Sequence, residues 1–299
     1  MVETIGNPIT WAANLVSSGF RRVGDGTAEI AGGDIAPIVI TGLKLSDLPI
    51  ALKKGLDDFF ALRTDVMFMV VVYPIIGLVL IGIALNRGAL PMLFPLVSGF
   101  ALLGPVAAIG LYEMSRRREL ELKTTWGDAL GIIGSPSLFP ILTLGFYLFA
   151  IFLIWLVTAY EIYNLTLGPQ PPVSAMAFLR DIFTTTAGWV MLIAGCVAGF
   201  VFACAVLAMS LVSFPLLVDR HVGVVRAVVT SFTIAQRDPV AAAAWGAIVV
   251  VGLGLGVATL FVGLIFVLPV LGHASWHLYR CAVAAPAPRT ELQELASAE

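Results

Sequence analysis

An all-α, polytopic transmembrane bundle is the fold class this chain predicts, and three observations predict it. Of 299 residues, 59% are hydrophobic and only 12% charged, with a mean hydropathy of +0.98. A soluble domain needs roughly a quarter to a third of its surface charged, which this composition cannot supply. The charges are also segregated: 41 residues separate Asp238 from Arg280 without one Asp, Glu, Lys or Arg. Finally, once the apolar runs are taken as spans, all but Arg87 and Arg180 of the 17 Lys and Arg fall on one side, which is the positive-inside pattern.

Taken in order, residues 1–42 are Gly-rich and mixed in polarity and predict a flexible cytoplasmic segment. Residues 9–23 carry a weak signal for a short surface helix. The first 35 residues hold Pro8, Arg21 and Arg22 but no uninterrupted apolar run, so no cleavable signal peptide is expected. The membrane domain is placed at 43–282. It opens with residues 47–65, where Leu48, Ala51, Leu52, Leu56, Phe59, Phe60 and Leu62 interleave with Lys53, Lys54, Asp57 and Asp58. That periodicity predicts an amphipathic helix on the membrane surface.

Six spans follow. The first covers 66–85, and the turn Asn86-Arg87-Gly88 leads to the second at about 90–112. The triplet Arg116, Arg117 and Arg118 and an interfacial segment at 126–133 precede the third span, about 138–160. A loop with Gly168-Pro169-Gln170-Pro171-Pro172 leads to the fourth, about 189–217, and residues 221–236 read as another amphipathic segment. The 41-residue uncharged run would be roughly 60 Å long as one helix, against a hydrocarbon core of about 30 Å. A turn near Phe261-Val262-Gly263 resolves the mismatch into a last pair of spans. An interfacial helix thus precedes each of three hydrophobic hairpins, which suggests a threefold repeat. Both termini are expected in the cytoplasm, and residues 283–299 predict a disordered tail.

Two stretches carry a resemblance. Asp58-Phe59-Phe60-Ala61-Leu62-Arg63-Thr64-Asp65 and the closing segment from Gly263 through Pro269, His273, Trp276 and His277 to Arg280 resemble the bacterial predicted integral membrane proteins catalogued as domain of unknown function 2189. The likeness is taken to span residues 45–282. It implies a multi-pass protein of the bacterial inner membrane and no catalytic residues. Some members of that family carry a cytochrome c oxidase label, but a haem–copper catalytic subunit needs more ligands than the three histidines His221, His273 and His277. The paired cysteines of the dinuclear copper subunit are absent too.

Among residues that carry chemistry, His273 and His277 lie one helical turn apart and share a face. They read either as a metal or haem pair or as part of an interfacial girdle with Trp276, Tyr279 and Arg280. Two imidazoles do not complete a zinc site, and no carboxylate or thiolate lies nearby on that helix. Arg116, Arg117 and Arg118 read as a topology determinant or as a lipid-headgroup contact. The pairs Gly195/Gly199 and Gly252/Gly256 have the small-residue spacing of close helix packing. They predict contacts within the bundle or a homo-oligomer. Cys196, Cys204 and Cys281 show no disulfide or metal-ligand spacing. No span has an ionisable residue near its middle, which argues against a proton-coupled carrier. Proline in or beside five spans leaves room for broken helices of the transporter kind.

These readings favour a non-catalytic inner-membrane protein that assists or stabilises a larger membrane complex, with a respiratory complex as the candidate. The alternative is a transporter or channel for a small solute. Its expected partners are the bilayer and such complex subunits. No cofactor is expected unless His273 and His277 bind haem or metal, and no basic face remains for nucleic acid.

Overall fold

The computed structural model describes residues 30–33, 36–70, 75, 77–79, 82, 89–122, 124–129 and 131–285. Among them all regular secondary structure is helical, with no strand beyond one antiparallel bridge between Ile40 and Val283. The expected turn at 86–88 and half of the expected first span lie outside the described residues.

Helix α1 (Asp47–Val70) starts where Asp47 Oδ2 accepts the Lys44 N–H at 2.8 Å. It continues past residue 65 without a break, so the amphipathic segment and the start of the expected span are one helix. Its buried stripe is Leu48, Ala51, Gly55, Asp58, Phe59 and Leu62, the three- and four-residue spacing of one helical face. Residues 90–119, expected to begin with one span, are instead divided. A 3₁₀ turn (Leu90–Met92) is followed by α2 (Leu93–Leu102), α3 (Gly104–Ala107) and α4 (Ile109–Glu119). Pro105 at the start of α3 has no N–H to donate back and its ring clashes with the preceding turn. Leu103 and Ala108 take up the kinks with ψ near zero.

The expected interfacial segment at 126–133 is a single helical turn, α5 (Trp126–Ala129), and a 3₁₀ turn (Gly131–Gly134). Next comes α6 (Leu138–Thr166), buried along Ile141, Leu144, Leu148, Trp155, Ala159 and Tyr163. Trp155 Nε1 donates to the Pro95 carbonyl at 3.0 Å, fastening α6 to α2. A short helix not anticipated from the sequence, α7 (Ala175–Thr184), precedes α8 (Thr186–Ser210). The expected fourth span bends at Leu211 and Val212 into α9 (Ser213–Asp219), whose residues 213–218 are all buried. Then α10 (Val224–Arg237) turns Val224, Ala227, Thr230, Ser231 and Ile234 inward. The uncharged run forms two helices, α11 (Pro239–Ala258) and α12 (Leu264–Ala282). Leu260 and Phe261 in the turn between them adopt positive φ. Gly252 faces Val267 and Leu271 while Gly256 faces Leu264, so α12 runs back along α11.

Among the described residues three segments are long and apolar enough to cross a membrane: Leu138–Thr166, Thr186–Asp219 and Pro239–Ala258. Their outer faces are large apolar side chains left exposed, such as Phe146, Phe200 and Val250. Lipid is the solvent such faces fit, since an aqueous surface rarely exposes so large an apolar patch. The packed core sits instead toward one end, where Phe214, Leu216, Leu217, Ile234, Ala274, Trp276 and Leu278 are fully buried. Removing each of the Phe, Leu and Ile side chains among these from water contributes roughly 1.5–3 kcal/mol.

Residues 36–43 cross the same end. Arg220 and Arg226 donate to the Ala36 carbonyl at 3.1 and 2.9 Å, and Thr41 N–H donates to the Ala282 carbonyl at 3.0 Å. Asp238 Oδ2 accepts the Leu43 N–H at 2.8 Å. The described parts of the two expected terminal segments, up to residue 42 and from 283, are thus held to the body where they leave it.

Candidate functional site

The chemistry-bearing residues gather at that packed end, where α1, α4 and α12 converge. Small residues permit the approach. A Cβ on Gly55 of α1 would stand 2.6 Å from the Ala274 nitrogen, and one on Gly272 of α12 would stand 2.4 Å from Leu111 Cδ1. One turn beyond Gly55, Asp58 is driven into the junction. Ser115 and Arg118 project from α4, and His273 and His277 from α12.

Asp58 is the hub. Its Oδ2 accepts Ser115 Oγ–H at 2.6 Å and His277 Nε2–H at 2.9 Å, and its Oδ1 accepts from the Arg118 guanidinium. Ser115 Oγ also lies 2.7 Å from His273 Nδ1. An ionised carboxylate only accepts, and the serine hydroxyl has one proton to give. Ser115 therefore donates to Asp58, and His273 must donate through Nδ1. The remaining His273 Nε2 is buried without a hydrogen-bond partner among the described residues. Burial alone would raise the Asp58 pKa. The hydrogen bonds from His277 and Ser115, with the charge influence of both imidazoles, outweigh it and hold the carboxyl below its ordinary value of 3.8.

A second cluster closes around it. Glu113 pairs with Arg116 at 2.8 Å and Arg117 at 3.1 Å, and Arg117 also reaches Asp128 at 2.8 Å. On the other flank Glu119 accepts Trp276 Nε1–H at 2.9 Å and Arg280 Nε–H at 3.0 Å. Asp219 accepts the Tyr279 hydroxyl at 2.6 Å and lies 3.4 Å from Arg280. Every cation of the basic triplet is thus answered by a carboxylate of the same chain.

Several expected roles change on this geometry. His273, Trp276 and Tyr279 do not form an outward-facing girdle, because they are 0, 1 and 0% exposed and turn into the protein. Arg280 is half-buried between Glu119 and Asp219. His273 and His277 do share a face, but each directs a ring nitrogen to a different protein group. Among the described residues no three His, Cys, Asp or Glu side chains are grouped to hold a metal ion. His221, which is exposed, meets Ser137 Oγ through Nδ1 at 2.8 Å. Gly199 packs on Trp155, Gly252 and Gly256 pack on α12, and Gly195 faces no neighbouring atom among the described residues. A shallow depression of about 270 Å³ lies apart from the network, lined by Leu43, Leu45 and residues 237–241.

The sequence reading missed Asp58 and Ser115 as partners of the histidines, because Asp58 is 219 positions from His277. One local signal pointed to it: Asp58 falls on the apolar stripe of α1 in step with Leu48, Ala51 and Leu62, where a solvated acid has no place.

A helical chain with apolar spans facing outward and a charged, packed end defines an integral membrane protein. The family model described as predicted integral membrane protein, domain of unknown function 2189, matches residues 92–219. The resemblance read from the sequence therefore holds over that segment, which includes Ser115, the basic triplet and Asp219. Asp58, His273 and His277 lie outside it. No curated protein and no solved structure matches the chain.

Proposed function

We propose that the protein is a non-catalytic component of the bacterial inner membrane that assists or stabilises a larger membrane assembly. In this reading it has six spans, arranged as three hairpins, with both termini in the cytoplasm. The observation that carries it is the closure of the polar network. The carboxylates and cations at the packed end are bonded to one another and tie α1, α4, α9 and α12 together, which is a structural use of charge. The space open at Gly195 of α8, away from the lipid-facing row, leaves room for a neighbouring helix of such an assembly. The oxidase label carried by some family members makes a respiratory complex the first partner to seek.

The test is purification in mild detergent from native membranes at endogenous expression, with mass spectrometry of what accompanies the protein. Respiratory subunits in fixed ratio support the proposal. Recovery alone or as a homo-oligomer removes its main support. A second reading, a carrier for a small solute, is favoured by one feature: the interruption of the 90–119 segment at Leu103 and Ala108. Solute flux into vesicles containing only this protein would favour it over the first.

A further inference from the structure

The connection between α6 and α8 holds a feature that neither the packed end nor the spans require. Helix α7 (Ala175–Thr184) is fixed at both ends. Ser174 Oγ accepts the Ala177 N–H at 3.1 Å, and Thr185, which closes α7, caps α8 by accepting the Gly188 N–H at 2.9 Å. Ser/Thr caps of this kind fix where a helix begins.

Around its axis α7 has three sectors. One faces the chain: the Phe178 ring meets the Tyr163 ring at 6.1 Å, and Gly188 lies so close to Ile182 that a Cβ there would sit 2.5 Å from its Cα. A second is polar and exposed, with Arg180, Asp181 and Thr184. The third is apolar and open: Met176, Leu179 and Phe183 are 75, 50 and 56% exposed, at spacings of three and four. Protein on one side, water on another and an apolar phase on the third is the environment of a helix lying at a membrane surface.

The apolar sector runs without a gap into the outer face of α8. The Phe183 and Trp189 rings meet edge-on at 6.3 Å, and Trp189 Nε1 donates to the Phe183 carbonyl at 3.1 Å. Trp189 then heads the exposed row Val190, Ile193 and Val197. A tryptophan at the head of a lipid-facing row marks headgroup level. The length of α6 agrees. Its 29 residues extend about 43 Å against a hydrocarbon core of about 30 Å, so its last turns, where α7 docks, stand in the interface.

We propose that α7 is an in-plane interfacial anchor. Met176, Leu179 and Phe183 insert at the headgroup–acyl boundary of the leaflet that holds the α6–α8 connection, with Arg180 and Asp181 toward water. Its occupant is the lipid surface, because the stripe is continuous with the lipid-facing row of α8. The anchor fixes the depth of both helices.

The test uses the full-length chain with Cys196, Cys204 and Cys281 changed to alanine. Single cysteines replace Met176, Leu179, Phe183 or Asp181 in turn, each carrying a nitroxide, in vesicles of phosphatidylethanolamine and phosphatidylglycerol. Collision with oxygen, which partitions into lipid, is compared with collision with a water-soluble nickel chelate. The expected result is an oxygen-to-nickel ratio several-fold higher at 176, 179 and 183 than at 181. Equal access of nickel to all four positions places the helix in water and overturns the proposal. Shielding of the three apolar positions from both reagents overturns it as well, by assigning the face to a second copy of the chain. The positions are read separately, so loss of one variant through misfolding leaves the comparison standing.

Discussion

At Asp58 a single carboxylate answers a serine hydroxyl, an imidazole and a guanidinium, and its side chain is 6% exposed. Replacing it by asparagine leaves the Arg118 charge and the His277 N–H without their anion. The expected cost is about 2–3 kcal/mol, below the full value for a broken buried pair because Arg118 is partly exposed. Asp57→Asn, one position along on the exposed side of the same helix, should stay within about 0.5 kcal/mol. Chemical unfolding of the detergent-solubilised protein measures both, and equal effects would refute the hub role. The same carboxylate sets a pH dependence. Its folded pKa lies below its unfolded value, so its contribution is complete above about pH 4 and is lost as pH falls through the depressed folded value. Acidification from pH 5 to pH 3 should therefore destabilise the wild type more than Asp58→Asn. Of this site the sequence made the histidine pair legible, because four-residue spacing is local. The acid that binds one of them arrives from another helix, and its spacing on α1 marks it as buried without saying what it meets.

Helix against helix, the glycines separate into two kinds. Gly55 is a contact point, where an added methyl would meet the Ala274 backbone at 2.6 Å and push α1 and α12 apart. Gly55→Ala should cost about 1–3 kcal/mol, the range for overpacking a tight contact. Gly254 of α11 faces no neighbouring atom among the described residues. Gly254→Ala should gain about 0.5–1 kcal/mol from restricting the unfolded chain, so the two substitutions should differ in sign in one thermal-stability assay. The helices themselves were legible where periodicity is strong: α1, α6, α10 and the division of the uncharged run at 259–263 all follow hydropathy and length. Helix α7 was not. Its flanking Gly168-Pro169-Gln170-Pro171-Pro172 reads as loop, and ten residues are too few for a periodic signal to stand out. The breaks at Leu103 and Ala108 were foreshadowed by Pro105, but a membrane helix repairs a proline often enough that the residue alone does not predict where the helix stops.

For the whole molecule, the charge asymmetry and the structure address the same question from different sides. The packed end gathers the basic triplet with Arg220, Arg226, Arg237 and Arg280, whereas α7 at the other end of α6 contributes Arg180. If cytoplasmic retention of Lys and Arg orients the chain, the packed end faces the cytoplasm and the α6–α8 connection faces away. Alkaline phosphatase, which is active only outside the cytoplasm, distinguishes the cases when fused after residue 122, after residue 170 and after residue 285. The six-span reading predicts activity for the fusion at 170 alone. Activity at 122 and 285 but not at 170 would invert the molecule and turn its ion-pair network outward, against the positive-inside rule. Activity at 285 and 170 together would mean an even number of crossings after residue 170. One of α8, α11 and α12 would then not span, and α12, with two imidazoles and Arg280 in its last turns, is the helix to examine. In the six-span proposal α12 crosses despite those groups because Asp58, Ser115, Glu119 and Asp219 meet them inside the protein, so the polar turns need not face lipid.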